Sequence, residues 1–171
     1  MANENSAVDL SIIEEIVGDT WNTYLAAAVE PCTPRGKPAS QPSASTEVDQ
    51  DQVDASVRIF GEVVREVTLR GSWSSATEAT RRMLQSGDSA DGGGGCDVSI
   101  ADEDVLDAWG ELVNTVAGNL KASLDLEAQQ LSMPEVVRDR STPAPTPDAT
   151  ELLFEWDGYL AVVRVAKVRP V

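Results

Sequence analysis

The sequence has 171 residues, no histidine, and a formal net charge of −16 from 29 acidic and 13 basic side chains. Without histidine there is no Ser-His or Cys-His nucleophile, no phosphohistidine and no His-ligated zinc, and Cys32 and Cys96 are too few for a Cys-only zinc site, so no metal site is read from the chain. The acidic balance argues against nucleic acid or an anionic membrane as partner, and with neither a signal peptide nor an apolar run of spanning length the chain reads as a cytoplasmic protein.

In chain order, apolar residues at Leu10, Ile13, Ile16, Val17, Trp21, Tyr24, Leu25 and Ala28 recur at helical spacing and predict a first long helix over 9–29. Residues 31–52, with Pro31, Pro34, Pro38 and Pro42, form a low-complexity loop. Val53, Ala55, Val57 and Ile59 then alternate with polar residues, the period of a half-buried strand. Gly61 turns the chain into a second strand near 63–69. Ser75-Ala76-Thr77-Glu78 has capping-box spacing and predicts a short helix through Leu84.

A Gly-rich loop spans 86–98. A second long helix begins with Ser99 as its cap and runs to about Leu124, with Leu106, Trp109, Val113, Val116, Leu120 and Leu124 as its core stripe. A short strand is read at Val136, and a Pro-rich loop follows over 139–149. Leu152, Phe154 and Trp156 alternate inward, Asp157-Gly158 supplies a type I′ turn, and Tyr159, Ala161, Val163 and Val165 return as a hairpin. The fold class is α+β, two long helices packed on a mainly antiparallel sheet in a single domain over 1–171.

A shift of 96 residues superposes the two long helices, placing Leu10 on Leu106, Val17 on Val113, Glu15 on Glu111 and Gly18 on Asn114, the pattern of an internal duplication. Asp107, Glu111, Asn114, Gly118 and Lys121 share one narrow face of the second helix, away from its core stripe. A charged stripe alone is usually a solvated face. Asn and Gly, however, are poor helix formers that such a face has no packing reason to accept. A small residue one turn beyond an amide allows the backbone of another protein to approach.

The block DAWGELVNTVAGNLKASL at 107–124, with LSMPEVV at 131–137, resembles the CheC/CheX/FliY family of chemotaxis phosphatases, and CheX-like domains most of all. Asp107, Glu111, Asn114 and Pro134 meet the family motif, and Gly118 to Lys121 extend the match. The resemblance implies hydrolysis of the aspartyl phosphate on a CheY-like response-regulator receiver domain. Asn114 would position the attacking water and Glu111 would pair with the receiver's lysine, while Asp107, Gly118 and Lys121 would contribute to docking. No cofactor of its own is implied, because Mg²⁺ comes with the receiver. Glu15 and Gly18 become a degenerate second copy, lacking the amide. A homodimer through the sheet is also implied, with the C-terminal hairpin as its edge. The competing reading is a non-catalytic module of the same fold that docks on a receiver or a flagellar-switch-like partner.

Overall fold

The two-residue alternation seen at 53–59 recurs in three further strands and builds most of the molecule. The computed structural model describes residues 7–32, 51–87, 100–124, 130–139 and 149–168. Its seven-stranded sheet has β2 (Gln52–Phe60), β3 (Val64–Ser72), β6 (Thr150–Trp156) and β7 (Tyr159–Val168) as its long strands. The short β1 (Glu30–Pro31) lies against β6, and β4 (Gln130–Leu131) and β5 (Glu135–Asp139) lie against the far side of β2. The order is β1-β6-β7-β3-β2-β4, with β5 also on β2, and every pairing is antiparallel.

Val53, Ala55, Val57 and Ile59 of β2 are buried, as are Val67 and Leu69 of β3, Phe154 and Trp156 of β6, and Ala161 and Val163 of β7. One face of the sheet is therefore apolar, and it is covered by three helices: α1 (Leu10–Leu25), α2 (Trp73–Gly87) and α3 (Asp102–Ser123). This is the expected α+β class, with α2 nearly as long as α1 rather than a short helix.

The ends of the helices differ from the expectation for local reasons. The α1 helix stops at Leu25 because Ala26 adopts a left-handed conformation (φ 48°, ψ 36°), so Ala28 falls outside it; Leu10, at its first position, is 41% exposed rather than core. At α2 the capping residue is Ser72, whose Oγ accepts from the Ser75 N–H at 3.1 Å, and Ser75 is buried inside the helix. At α3 the Ala101 N–H donates to Asp104 Oδ2 at 3.3 Å. Ser99, expected as the cap, lies outside the described residues, as does Cys96.

The three loops are also shorter than the composition suggested. Pro31 pairs with Phe154 and the Cys32 N–H donates to Leu153 O at 2.8 Å; Gln52 starts β2, Ser86 and Gly87 complete α2, and Asp139 ends β5. The remainder, 33–50, 88–98 and 140–148, lies outside the described residues. The hairpin turn is as read, with φ 46° at Asp157 and 83° at Gly158, the positive values a type I′ turn requires. Its β7 strand is interior, however, so β6 alone lies toward an edge, and β1 covers it at Phe154 and Glu155.

On the surface of α2, Glu78 accepts from Arg81 Nε at 3.0 Å and from Arg82 Nε at 2.9 Å. The Arg81 guanidinium holds the Glu78 carboxyl below the usual carboxylate range; a smaller push from burial opposes this and Arg82 reinforces it. A carboxyl whose folded value is lowered adds stability that is complete above its unfolded value and drains away as pH falls through the folded one. Glu78→Gln should therefore lower the urea midpoint near neutrality modestly and flatten its fall between about pH 5 and pH 3, the two proteins converging at the acid end. Parallel acid limbs for the two proteins would contradict this.

Candidate functional site

The exposed face of α3 is set by what its other face buries. Val105, Trp109, Leu112, Val113, Val116, Ala117 and Leu120 are all at most 2% exposed, a broader stripe than periodicity assigned, and Leu106 is only half-buried. The benzo edge of the Trp109 indole lies close against Gly71 of β3, where an added Cβ would sit 2.8 Å from Cζ2 and 3.0 Å from Cη2. Gly71 is thus the seat on which the helix rests, and it fixes both the height and the rotation of α3.

With the helix so rotated, Asp107 and Glu111 are exposed, and Asn114, Gly118 and Lys121 are partly exposed. These are the five residues expected on one face, and they extend over about 21 Å at 1.5 Å rise per residue. Among the described residues none of Asp107, Glu111, Asn114 and Lys121 makes a side-chain hydrogen bond or ion pair. A Cβ on Gly118 or on Gly18 would meet nothing within 4 Å among the described residues, so packing against them does not select glycine at either position. The stripe presents, one turn apart, a free carboxylate and a neutral carboxamide. That pair can accept from a cation and orient a water, and it needs no nucleophile of its own.

Two neighbours flank the stripe. On one side Tyr24 of α1 lies against Thr115, with the two hydroxyl oxygens 3.5 Å apart. On the other side the β4–β5 loop packs on α3 at Gly110: a Cβ there would meet Val136 Cγ2 at 3.1 Å and Pro134 Cβ at 3.4 Å. Pro134 was read from the sequence as a motif residue, and the structure brings it beside the helix one turn before Asn114. Gly110 was not singled out. Its one sequence signal is a glycine beside Trp109 in a helix that has no other reason to carry one.

The N-terminus of α3 is anchored by Arg138 of β5. Its guanidinium stacks 3.9 Å from the centroid of the Trp73 ring and pairs with Asp51 at 2.7 Å and Asp102 at 3.3 Å. Arg138 is opposite Val53 and Val136 is opposite Ala55, so α3 advances in the direction of β2. The α1 helix follows β6 instead, from Val8, whose carbonyl accepts from Thr150 Oγ1, to Trp21 on Phe154. Because β6 runs opposite to β2, the two long helices are antiparallel. Glu15 consequently sits at the far end of the pair from Glu111, lining with Ile16, Asp19, Asn119, Ala122 and Ser123 a depression of about 280 Å³. Gly18, one turn further along α1, offers no amide, so α1 carries the carboxylate of Glu15 without the amide that accompanies Glu111 on α3.

No helix among the described residues is long and apolar enough to cross a membrane. A family model described as the chemotaxis phosphatase CheX matches residues 53–154, which include all of α3 and the Pro134 loop. No curated protein matches the sequence. Among solved structures, the chemotaxis protein CheX from Vibrio vulnificus is similar with a TM-score of 0.68 at 16% identity, covering 96% of this chain and 100% of that one. A structure of a CheX-CheY-BeF3-Mg²⁺ complex from Borrelia burgdorferi aligns with a TM-score of 0.61 at 14% identity, over 96% of this chain and 100% of that one. FliY from Thermotoga maritima aligns with a TM-score of 0.55 at 19% identity, over 95% and 93% of the two chains.

Proposed function

This chain belongs to the CheX family of chemotaxis phosphatases, and from that premise we propose that it hydrolyses the aspartyl phosphate of a CheY-like receiver domain. The observation that carries the reading is the pair Glu111 and Asn114, exposed one turn apart on α3 and unengaged by any described residue of their own chain. That a relative is found in complex with CheY supports the choice of partner.

The chemistry asks little of the phosphatase. An acyl phosphate is already activated, and the receiver brings its own Mg²⁺ as part of the substrate, so what is missing is a water held in line. The water oxygen attacks phosphorus, the bond from phosphorus to the aspartyl oxygen breaks, and aspartate carboxylate and inorganic phosphate leave with the water's hydrogens distributed between phosphate and solvent. The Asn114 carboxamide accepts one hydrogen of that water and aims its lone pair; being neutral, it can enter a phosphate site that would repel a carboxylate. Glu111 pairs with the receiver's lysine and fixes the depth at which α3 docks. Asp107, Gly118 and Lys121 extend the same contact face.

Charge reversal at the docking residue tests this directly. Glu111→Lys replaces the proposed ion pair by repulsion and should weaken binding of a beryllofluoride-activated receiver by roughly 100-fold, the range for a desolvated charged contact. Reversing the receiver's lysine to glutamate should recover part of that loss. Unchanged affinity for Glu111→Lys, measured by titration calorimetry, would remove Glu111 from the interface.

A further inference from the structure

We infer that Met133 is the apolar contact by which this protein selects its receiver, held outward by a clamp formed by Ser132 and Pro134; the inference rests on the reading of α3 as the receiver-docking face. Met133 is 85% exposed, the most exposed of the large apolar side chains among the described residues. Single exposed apolar residues are common and by themselves carry no meaning. What distinguishes this one is that the backbone on both sides of it is fixed.

On the N-terminal side, the Ser132 N–H donates to Arg58 O at 2.9 Å, and the Arg58 N–H donates to Ser132 Oγ at 3.0 Å. The same hydroxyl donates to Met133 O at 2.9 Å. Ser132 is thereby tied to β2 by its N–H and its hydroxyl, and Met133 is tied to Ser132. On the C-terminal side, the ring of Pro134 packs on Gly110, where the missing side chain leaves room for it. Proline also fixes its own φ and restricts the residue before it, which is Met133. A loop restrained in this way does not fold its apolar side chain back onto the surface, so Met133 stays in water until something covers it.

The place of the clamp decides what covers it. Gly110 precedes Asn114 by one turn and lies about 40° around the helix from it, so the loop stands beside the proposed water-positioning amide. A typical protein interface removes about 800 Å² from each partner, a patch roughly 30 Å across. A footprint of that size centred on Glu111 and Asn114 extends over the loop that rests on Gly110 and so reaches Met133. Methionine is unbranched and polarisable, suited to fill an apolar depression of a partner's surface. Because Met133 lies beside the reacting groups and not among them, it contributes to selection of the partner and not to the hydrolytic step. Gly110 is the positioning residue behind it: a Cβ there would crowd Val136 at 3.1 Å and touch Pro134 at 3.4 Å, tightening the seat of the clamp.

The test compares the wild-type chain with Met133→Ala, Met133→Glu, Met133→Leu and Asn114→Ala against CheY-like receivers from the same genome. Each receiver is held active by beryllofluoride for binding and charged with acetyl phosphate for turnover. Removing one buried apolar side chain should weaken affinity and raise KM about tenfold for Met133→Ala, and more for Met133→Glu, with kcat at saturating receiver unchanged. Met133→Leu should retain wild-type affinity, and the melting temperatures of all three variants should match the wild type because the side chain is exposed. If receiver affinity is unchanged in both Met133→Ala and Met133→Glu while Asn114→Ala has lost turnover, the inference falls and the catalytic reading stands. If the wild type neither binds nor dephosphorylates any receiver, both fall together. A drop in kcat at saturation would also overturn the assignment, since it would place Met133 in the chemical step.

Discussion

Asn114→Ala should abolish the acceleration of receiver dephosphorylation while leaving the complex intact. The variant keeps Glu111 and the docking face, so its affinity for a beryllofluoride-activated receiver should equal that of the wild type. The rate at saturating protein should fall by roughly 100-fold or to the receiver's own rate of hydrolysis, the scale on which a misplaced reacting group is felt. That corresponds to about 2.7 kcal/mol of transition-state stabilisation. Loss of activity could not be ascribed to unfolding: Asn114 is part-exposed on the helix surface, and alanine favours a helix over asparagine by up to about 0.7 kcal/mol, so the variant should be at least as stable as the parent. Asn114→Asp should be equally inactive because it places a negative charge against the phosphoryl group. Turnover by Asn114→Ala at the wild-type rate would remove the amide from the chemistry.

The second large effect lies beneath the site. Trp109→Ala should cost about 3 to 5 kcal/mol, the usual loss for emptying a buried aromatic position. Against a total stability of about 5 to 15 kcal/mol, that lowers the melting temperature by on the order of 10 °C or more. Trp109 is fully buried, and its ring fills the space between α3 and the Gly71 backbone. Among the described residues its Nε1 has no hydrogen-bond partner, so no acceptor among them is orphaned when the indole is replaced. Trp109→Phe should accordingly lose far less than Trp109→Ala, because most of the apolar volume remains. Gly71→Ala probes the same contact from the sheet side, driving a methyl group to within 2.8 Å of the ring, and should destabilise as well as disturb docking. Thermal unfolding of the three variants checks the order; a Trp109→Ala protein as stable as the parent would mean that α3 is not seated on Gly71.

The parts of this fold that were legible in the sequence are those whose determinants are local. Alternation at Val53, Ala55, Val57 and Ile59 and the Asp157-Gly158 turn each specify their own geometry, and β2 and the hairpin follow directly. The helix ends were less accessible. The cap of α2 is Ser72, the last residue of a strand, so the Ser75 to Glu78 spacing that looked like a start lies inside the helix. The two-residue strands β1 and β4 are too short to carry any period.

The candidate site divides in the same way. Glu111 and Asn114 could be placed on one outward face because helical spacing alone puts them there. The seat of Trp109 on Gly71, and of Pro134 on Gly110, joins elements far apart in the chain. Nothing in the neighbouring residues announces either contact. The antiparallel course of α1 and α3, which separates Glu15 from Glu111, likewise comes from the sheet order and not from the superposition of their apolar faces.

Decay of the acyl phosphate distinguishes a phosphatase from a module that only docks. The measurement follows radiolabelled aspartyl phosphate on each CheY-like receiver of the same genome, with Mg²⁺ present, with and without the wild-type protein. At least one receiver should lose its phosphate much faster with the protein than without it, in proportion to the protein added. A receiver that binds tightly in the phosphorylated state yet decays at its own unassisted rate would contradict it.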